Sequence, residues 1–575
     1  MVLAFVQPKL SRGRSMNSRK LLTLFLFSIA GLVLNEASAA DKTYADYIYT
    51  NAKIWTGDST TPSASSLAIK GNKILAVGEH SQLRKIINQK TEVIDLQGAR
   101  VTPGFIDNHT HFADVSGLLS AVQLRDAPSQ HEFEKRIANF TKTLSKEQWI
   151  LMGIWDHEAW GGQLPEAKWI DDVTPNNPLF LLRTDGHMAL ANSKAMSLAG
   201  VDKNTPEVPG GEIVRDDNGN PTGVFRDAAM LLISKVIPEL SIQQQANEFK
   251  QGVKHALSYG VTQIHDMGQW QHLHAFKKLA QNQQLDMRVY SFVPLQTHAQ
   301  LTKFVKENGR GNQMHRWGGL KGLVDGSLGS TTAWFYQAYN DEPDKKGFPI
   351  DDLNDFSSWI KQGDAAGLHV TIHAIGDKAN DWLLDQFLKV EKENPNNPQR
   401  RWRIEHAQHL SQSAINRIAE HSIIASMQPF HAIDDGRWAE KRIGKERIKT
   451  TYAFDSLLDK GAIVTFGSDA PVAPMNVMHG IYAAVTRRTI DNKNPNGWVP
   501  EQKISVEKAL TAYTKNNAYA GFQEDKLGQL KAGYLADFVV LEKDILSIPA
   551  EEIKDVRIKM TVVDGKVVYR AKQED

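Results

Sequence analysis

The chain has 575 residues and a formal charge of +1, enough for several domains or for one large barrel carrying an appended domain and insertions. Hydrophobic residues at 41% and charged residues at 23% place it among globular chains and exclude a disordered or fibrous one. It contains no cysteine, which excludes disulfides and a thiol for lipid anchoring, so any metal must be held by His, Asp, Glu or Lys.

The first element in chain order is a leader-like segment. Basic residues (Arg12, Arg14, Arg19, Lys20) precede an apolar run from Leu21 to Leu34, and Ala37-Ser38-Ala39 supplies small residues for cleavage. The run is short for a membrane span, so residues 1–40 read as a cleaved signal peptide of an exported protein, with a bacterial periplasm as the expected destination. Without that segment the formal charge falls from +1 to −3, leaving no basic footprint for nucleic acid and no membrane attachment.

Residues 41–100 show short alternating runs, such as Tyr47-Ile48-Tyr49 and Ile74-Leu75-Ala76-Val77, separated by Gly-Asp and Gly-Asn turns. Residues 521–575 repeat that style in Phe538-Val539-Val540-Leu541 and Val562 to Tyr569. The two ends are therefore expected to join in one small β-sandwich.

Between them, residues 101–520 hold eight apolar runs, each followed by a loop and a helical pattern, which predict an α/β fold of the (β/α)8 barrel type. The expected strands are Val101 to Asp107, Val261 to His265, Met287 to Val293, Leu320 to Val324, Leu368 to His373, Trp402 to Ile404, Ile423 to Met427 and Ala462 to Phe466. A long insertion, about residues 114–250, follows the first strand and is expected to form a lid or side subdomain.

Polar residues gather where these runs end. His109-Thr110-His111 places two imidazoles on one side of a strand end by its period of two, as a metal pair would require, although such pairs also occur on solvated loops. Lys321, His373 and His406 each close a later apolar run, where a buried polar group satisfied by packing is the plain alternative. Asp469, in Gly467-Ser468-Asp469-Ala470-Pro471, follows the last run and could serve as a ligand and proton acceptor or as a helix cap.

Taken together, His-x-His at strand one, Lys at four, His at five and six and Asp at eight resemble the amidohydrolase superfamily. Pro103-Gly104-Phe105-Ile106-Asp107, Asp325-Gly326-Ser327-Leu328-Gly329-Ser330, Asp185-Gly186-His187 and Asn192-Ser193-Lys194-Ala195 are further similar to the branch that includes N-substituted formamide deformylases. The resemblance implies that His109 and His111 bind one divalent metal, that His373 and His406 bind a second, and that Lys321 bridges them as a carbamate. It implies that Asp469 completes the site and shuttles a proton. Zinc is the expected metal, as one or two ions, because imidazole ligands dominate. The implied reaction is hydrolysis of an amide, formamide or cyclic amide in a small molecule.

His187, His431 and Trp155 are second-tier candidates for substrate contact, with packing as the alternative for the tryptophan. Lactone or ester hydrolysis would use the same metal centre. A nucleobase deaminase often carries a Glu shortly after the fifth-strand His, whereas this chain reads His373-Ala374-Ile375-Gly376-Asp377. A non-catalytic periplasmic binding protein is the remaining class, and a homo-oligomer is compatible with everything above.

Overall fold

The computed structural model describes residues 43–572 apart from 125, 184–187, 209–210, 330 and 398–399. The leader expected over residues 1–40 lies outside the described residues. Among those described, no helix is long and apolar enough to cross a membrane.

Eight parallel strands form one sheet in sequence order. They are Phe105–Thr110, Val261–Met267, Arg288–Pro294, His315–Leu323, His369–Ala374, Arg403–His406, Ile424–Met427 and Ile463–Phe466, referred to below as barrel strands one to eight. Every residue of strand two is buried, which is why these strands read as unbroken apolar runs rather than alternating ones: helices cover one face and the barrel interior the other. Strands one and eight are tied where the barrel closes, the Asp469 N–H donating to the His109 carbonyl at 2.8 Å and the His111 N–H to the Ala470 carbonyl at 2.9 Å.

Two boundaries depart from expectation. The run Val101 to Asp107 is not one strand: Arg100–Pro103 belongs to another sheet, and the barrel strand starts at Phe105. The partner changes at Gly104, whose N–H goes to the Asp537 carbonyl while the next N–H goes to that of Gly260. Strand four starts at His315, ahead of the expected Leu320, because Trp317 and His315 bury side chains that a polar and glycine-rich stretch conceals.

The terminal segments make two sheets. One is four-stranded (Lys73–Gly78, Ser66–Lys70, Tyr47–Thr50, Glu92–Asp95), and the other is six-stranded (Lys566–Arg570, Ile558–Val563, Phe538–Leu541, Arg100–Pro103, Lys53–Trp55, Ser63–Ala64). Strand Phe538–Leu541 shows how they attach to the barrel. Its alternation sends Phe538 and Val540 into the core between the two sheets, with Tyr49 edge-on to Phe538, and sends Val539 and Leu541 into the barrel core. A buried ion pair reinforces the junction: Arg288 of strand three donates to both carboxylate oxygens of Asp537, at 2.7 and 2.8 Å, and to Asp564 at 2.9 Å.

Of the segment between strands one and two, helices Phe112–Leu119 and Ile242–Ser258 join the barrel core. The second starts from a capping box in which Ser241 and Gln244 exchange hydrogen bonds, and it buries Ala246, Phe249, Val253, Ala256 and Leu257 at helical spacing. What lies between has cores of its own and a four-stranded antiparallel sheet (Gly211–Arg215, Pro221–Asp227, Met188–Ala191, Phe180–Leu182).

Candidate metal centre

The two histidines that open the site are delivered differently. His109 lies inside strand one with its ring wholly buried, whereas His111 caps the helix Phe112–Leu119 and keeps 36% of its side chain exposed. Asp469, just past strand eight, brings Oδ1 to 3.4 Å from His109 Nε2 and 3.3 Å from His111 Nε2. His406 ends strand six with its ring centroid 5.0 Å from that of His109 and 4.5 Å from that of His373. Lys321, in strand four, places Nζ 3.2 Å from His109 Nε2. The six residues expected at the site therefore meet at one mouth of the barrel, where the C-terminal ends of its strands lie.

His406 and Asp469 both sit at left-handed backbone angles, with φ of 70° and 58°. Such conformations cost non-glycine residues of order 1 kcal/mol or more and persist where neighbouring contacts impose them. Here the closing hydrogen bond from the Asp469 N–H to His109 is one such contact.

Each inner imidazole has one nitrogen engaged by an acceptor, which fixes its tautomer and leaves the other as a lone-pair donor. His109 Nδ1 hydrogen-bonds the carboxylate of Glu405. His406 Nδ1 meets Gln428 Oε1 at 2.8 Å, and His373 Nε2 meets the Gly326 carbonyl at 3.1 Å. That carbonyl belongs to a loop pinned by Asp325, whose carboxylate accepts the N–H groups of Trp334, Ile375 and Gly376 at 2.7 to 2.9 Å.

The charge states suit a cation. Burial, helped by the Lys321 ammonium, pushes His109 down to about 4; the same two causes push His373 down to about 3, and burial with His373 holds His406 well below the usual imidazole range. All three are neutral at physiological pH. Burial would raise the Asp469 carboxyl, but the surrounding histidines, His109 first, hold it well below the usual range and therefore ionised. Burial brings the Lys321 ammonium down to about 8 against the pull of Glu405 and Asp469.

The donor set fits a divalent metal. Neutral imidazoles and an ionised carboxylate are the forms a metal binds. Asp469 Oδ1 and His431 Nε2 are buried with no hydrogen-bond partner among the described residues, whereas buried polar atoms ordinarily have one.

The residues behind this layer carry functions that sequence reading had not assigned. Glu405 and Arg403 are both wholly buried and form an ion pair at 2.5 Å. Glu405 also accepts from the hydroxyls of Thr371 and Ser426, and Arg403 donates to His265 Nδ1 at 2.9 Å and to the Asn108 carbonyl. Two charged residues at i and i+2 within an apolar strand were the available signal, since they share the inward face. Asp266, in strand two, accepts the Phe112 N–H at 3.1 Å.

The centre opens into a cavity of ≈ 800 Å³ that His111, Lys321, His373, His406, His431 and Asp469 line on one side. Met267, Leu328, Phe356, Trp438 and Val472 form its apolar walls. Trp155 is not among the described residues lining it. It is fully buried in the insertion's own core, and its indole N–H donates to the Leu181 carbonyl at 2.8 Å, so packing replaces the expected substrate contact. His187 lies outside the described residues. Asp377, the acidic residue that follows His373, accepts the Tyr336 N–H at 3.0 Å and is not among the described residues lining the cavity.

Residues 92–569 match the family described as the amidohydrolase family. The chain is 39% identical to Protein LONG AFTER FAR-RED 3 of Arabidopsis thaliana, over 91% of this chain and 92% of that one. It is 26% identical to the N-substituted formamide deformylase of Arthrobacter pascens, over 91% and 98%. Among solved structures, an uncharacterized metal-dependent hydrolase from Pyrococcus furiosus superposes with a TM-score of 0.74 at 29% identity, covering 87% of this chain and all of that one.

Proposed function

The chain belongs to the amidohydrolase family and is a hydrolase, and on that premise we propose that it cleaves a non-peptide carbon–nitrogen bond, that of an N-formyl or N-acyl amine. The observation that carries most weight is the convergence of His109, His111 and Asp469, with ligand-capable atoms all within 4.8 Å of one another at the open end of the barrel.

His109, His111, His373, His406 and Asp469 would hold the metal, with Lys321, once carbamylated, as a further oxygen ligand where two ions bind. A zinc-class ion supplies a Lewis acid that polarises the scissile carbonyl and makes water acidic enough to attack near neutral pH. Asp469, ionised at rest, takes the proton of the attacking water and returns it to the departing nitrogen, so the amine leaves neutral. Glu405 keeps His109 in the tautomer that presents Nε2. Because the walls carry Met267, Phe356 and Trp438, they favour an apolar substituent on that nitrogen, which matches the word N-substituted in the deformylase relative's name.

The test is elemental analysis of the purified protein together with amine release from N-formyl and N-acyl arylalkylamines, with and without chelator. Stoichiometric metal and chelator-sensitive release support the reading. A metal-loaded protein that opens lactones but releases no amine overturns the choice of bond.

A further inference from the structure

The expected ligands come from barrel strands one, four, five, six and eight, and strand seven supplies none. That strand, Ile424–Met427, runs through Gln428 into the helix Pro429–Asp435, with His431 in its first turn. We propose that His431 is a metal ligand, forming with His406 and Asp469 a second pole of the centre that shares its carboxylate with the His109 and His111 pole.

The geometry divides Asp469 between two groups. Its Oδ1 faces His109 and His111 at 3.4 and 3.3 Å, while its Oδ2 faces His431 Nε2 at 3.9 Å. The ligand-capable atoms of His406, His431 and Asp469 lie within 4.8 Å of one another, as do those of His109, His111 and Asp469. Tetrahedral coordination with metal–ligand distances of about 2.0–2.1 Å sets neighbouring donors roughly 3.3 Å apart. Asp469 Oδ1 already stands at that spacing from both histidines of the first pole, and the approach of His431 Nε2 to Oδ2 needs an inward shift of roughly half an ångström. A carboxylate using one oxygen at each pole is an ordinary bridging ligand.

Burial supplies an independent argument. His431 Nε2 is inaccessible and without a hydrogen-bond partner among the described residues, a state whose desolvation goes uncompensated unless a ligand meets it. The His431 ring lies 12° from parallel to that of His406, with centroids 6.3 Å apart. The end of strand seven thus acts twice, because Gln428 occupies His406 Nδ1 at 2.8 Å and leaves its Nε2 for the same point that His431 faces. His373 is outside both groups, its Nε2 meeting the Gly326 carbonyl, so only its Nδ1 is left to reach a metal.

This inference rests on the proposed metal centre, so its test reads metal directly. Metal-stripped full-length protein is titrated with Co(II), following stoichiometry, affinity and visible absorption for wild type, His431→Ala and His431→Gln. Thermal melting of the metal-free forms shows that each variant folds. The expected result is that both variants lose one class of Co(II) sites, or bind it at least tenfold more weakly, with altered absorption, while the remaining class binds as in wild type. Wild-type stoichiometry, affinity and absorption in both variants, with only KM raised, would make His431 a substrate contact and overturn the proposal. A wild-type protein that takes up no Co(II) would overturn it together with the metal reading beneath it.

Discussion

The carboxylate of Glu405 holds the Nδ1 edge of His109 across the barrel interior, joining two residues 296 positions apart with both side chains wholly buried. Removing a hydrogen-bond partner behind a metal-binding histidine typically weakens metal binding by about 10–100-fold. Glu405→Gln is expected to do so in a chelator competition. It also strands the Arg403 guanidinium, which should cost about 3–5 kcal/mol of stability. Adding Arg403→Met is expected to restore part of the stability and none of the metal affinity, and additive losses in that cycle would show that the two residues act separately.

Asp469→Asn keeps an oxygen donor and removes the proton acceptor. Turnover is expected to fall by roughly 10²–10⁴-fold, the range for loss of a general base, while the pole that receives the amide oxygen keeps its metal. Full activity in this variant would exclude Asp469 from the proton transfer.

Where the sandwich meets the barrel, Arg288 and Asp537 are 1% and 3% exposed in their side chains. Asp537→Asn leaves Arg288 with Asp564 alone, so the loss is expected at the lower end of the range for a broken buried pair, about 3 kcal/mol, read from chemical unfolding. A change within about 0.5 kcal/mol, the usual range for a surface substitution, would show that the pair does not secure the junction.

Glu248, on the helix Ile242–Ser258, has its carboxyl raised by burial from 4.5 to about 7, against a weak hydrogen bond from Gln245. The folded protein therefore holds this proton more tightly than the unfolded chain, and stability falls as pH rises from about 4.5 to about 7 and is level beyond. Glu248→Gln should raise the melting temperature above that window and leave it unchanged below. An equal shift at both ends would assign the effect to packing.

The barrel was legible because its strands are buried on both faces and so stand out as apolar runs, and the candidate ligands stood out because they sit where those runs stop. His109, Lys321 and Asp469 could be picked out one strand at a time. Glu405 and Arg403 could not, since their meaning lies in His109, His265 and Asn108 on other strands, and nothing local in Arg403-Ile404-Glu405-His406 separates a functional pair from a structural one. The break within Val101 to Asp107 was hidden for a related reason: both halves are apolar, and only the change of hydrogen-bonding partner reveals that they serve different sheets. Trp155 illustrates the converse, a large aromatic whose position in a presumed lid suggested a pocket while its indole had a backbone partner at hand.

Gly104 alone separates Pro103 of the sandwich from Phe105 of the barrel, and a Cβ at that position would lie 2.3 Å from Thr262 Oγ1. His109 follows five residues later on the same strand. There is no slack in that stretch of chain to absorb a movement of the sandwich before it reaches the first imidazole. Anyone shortening, fusing or transplanting the terminal β segments would be adjusting the alignment of the candidate metal centre, so for engineering purposes those segments behave as part of its mounting and not as free handles.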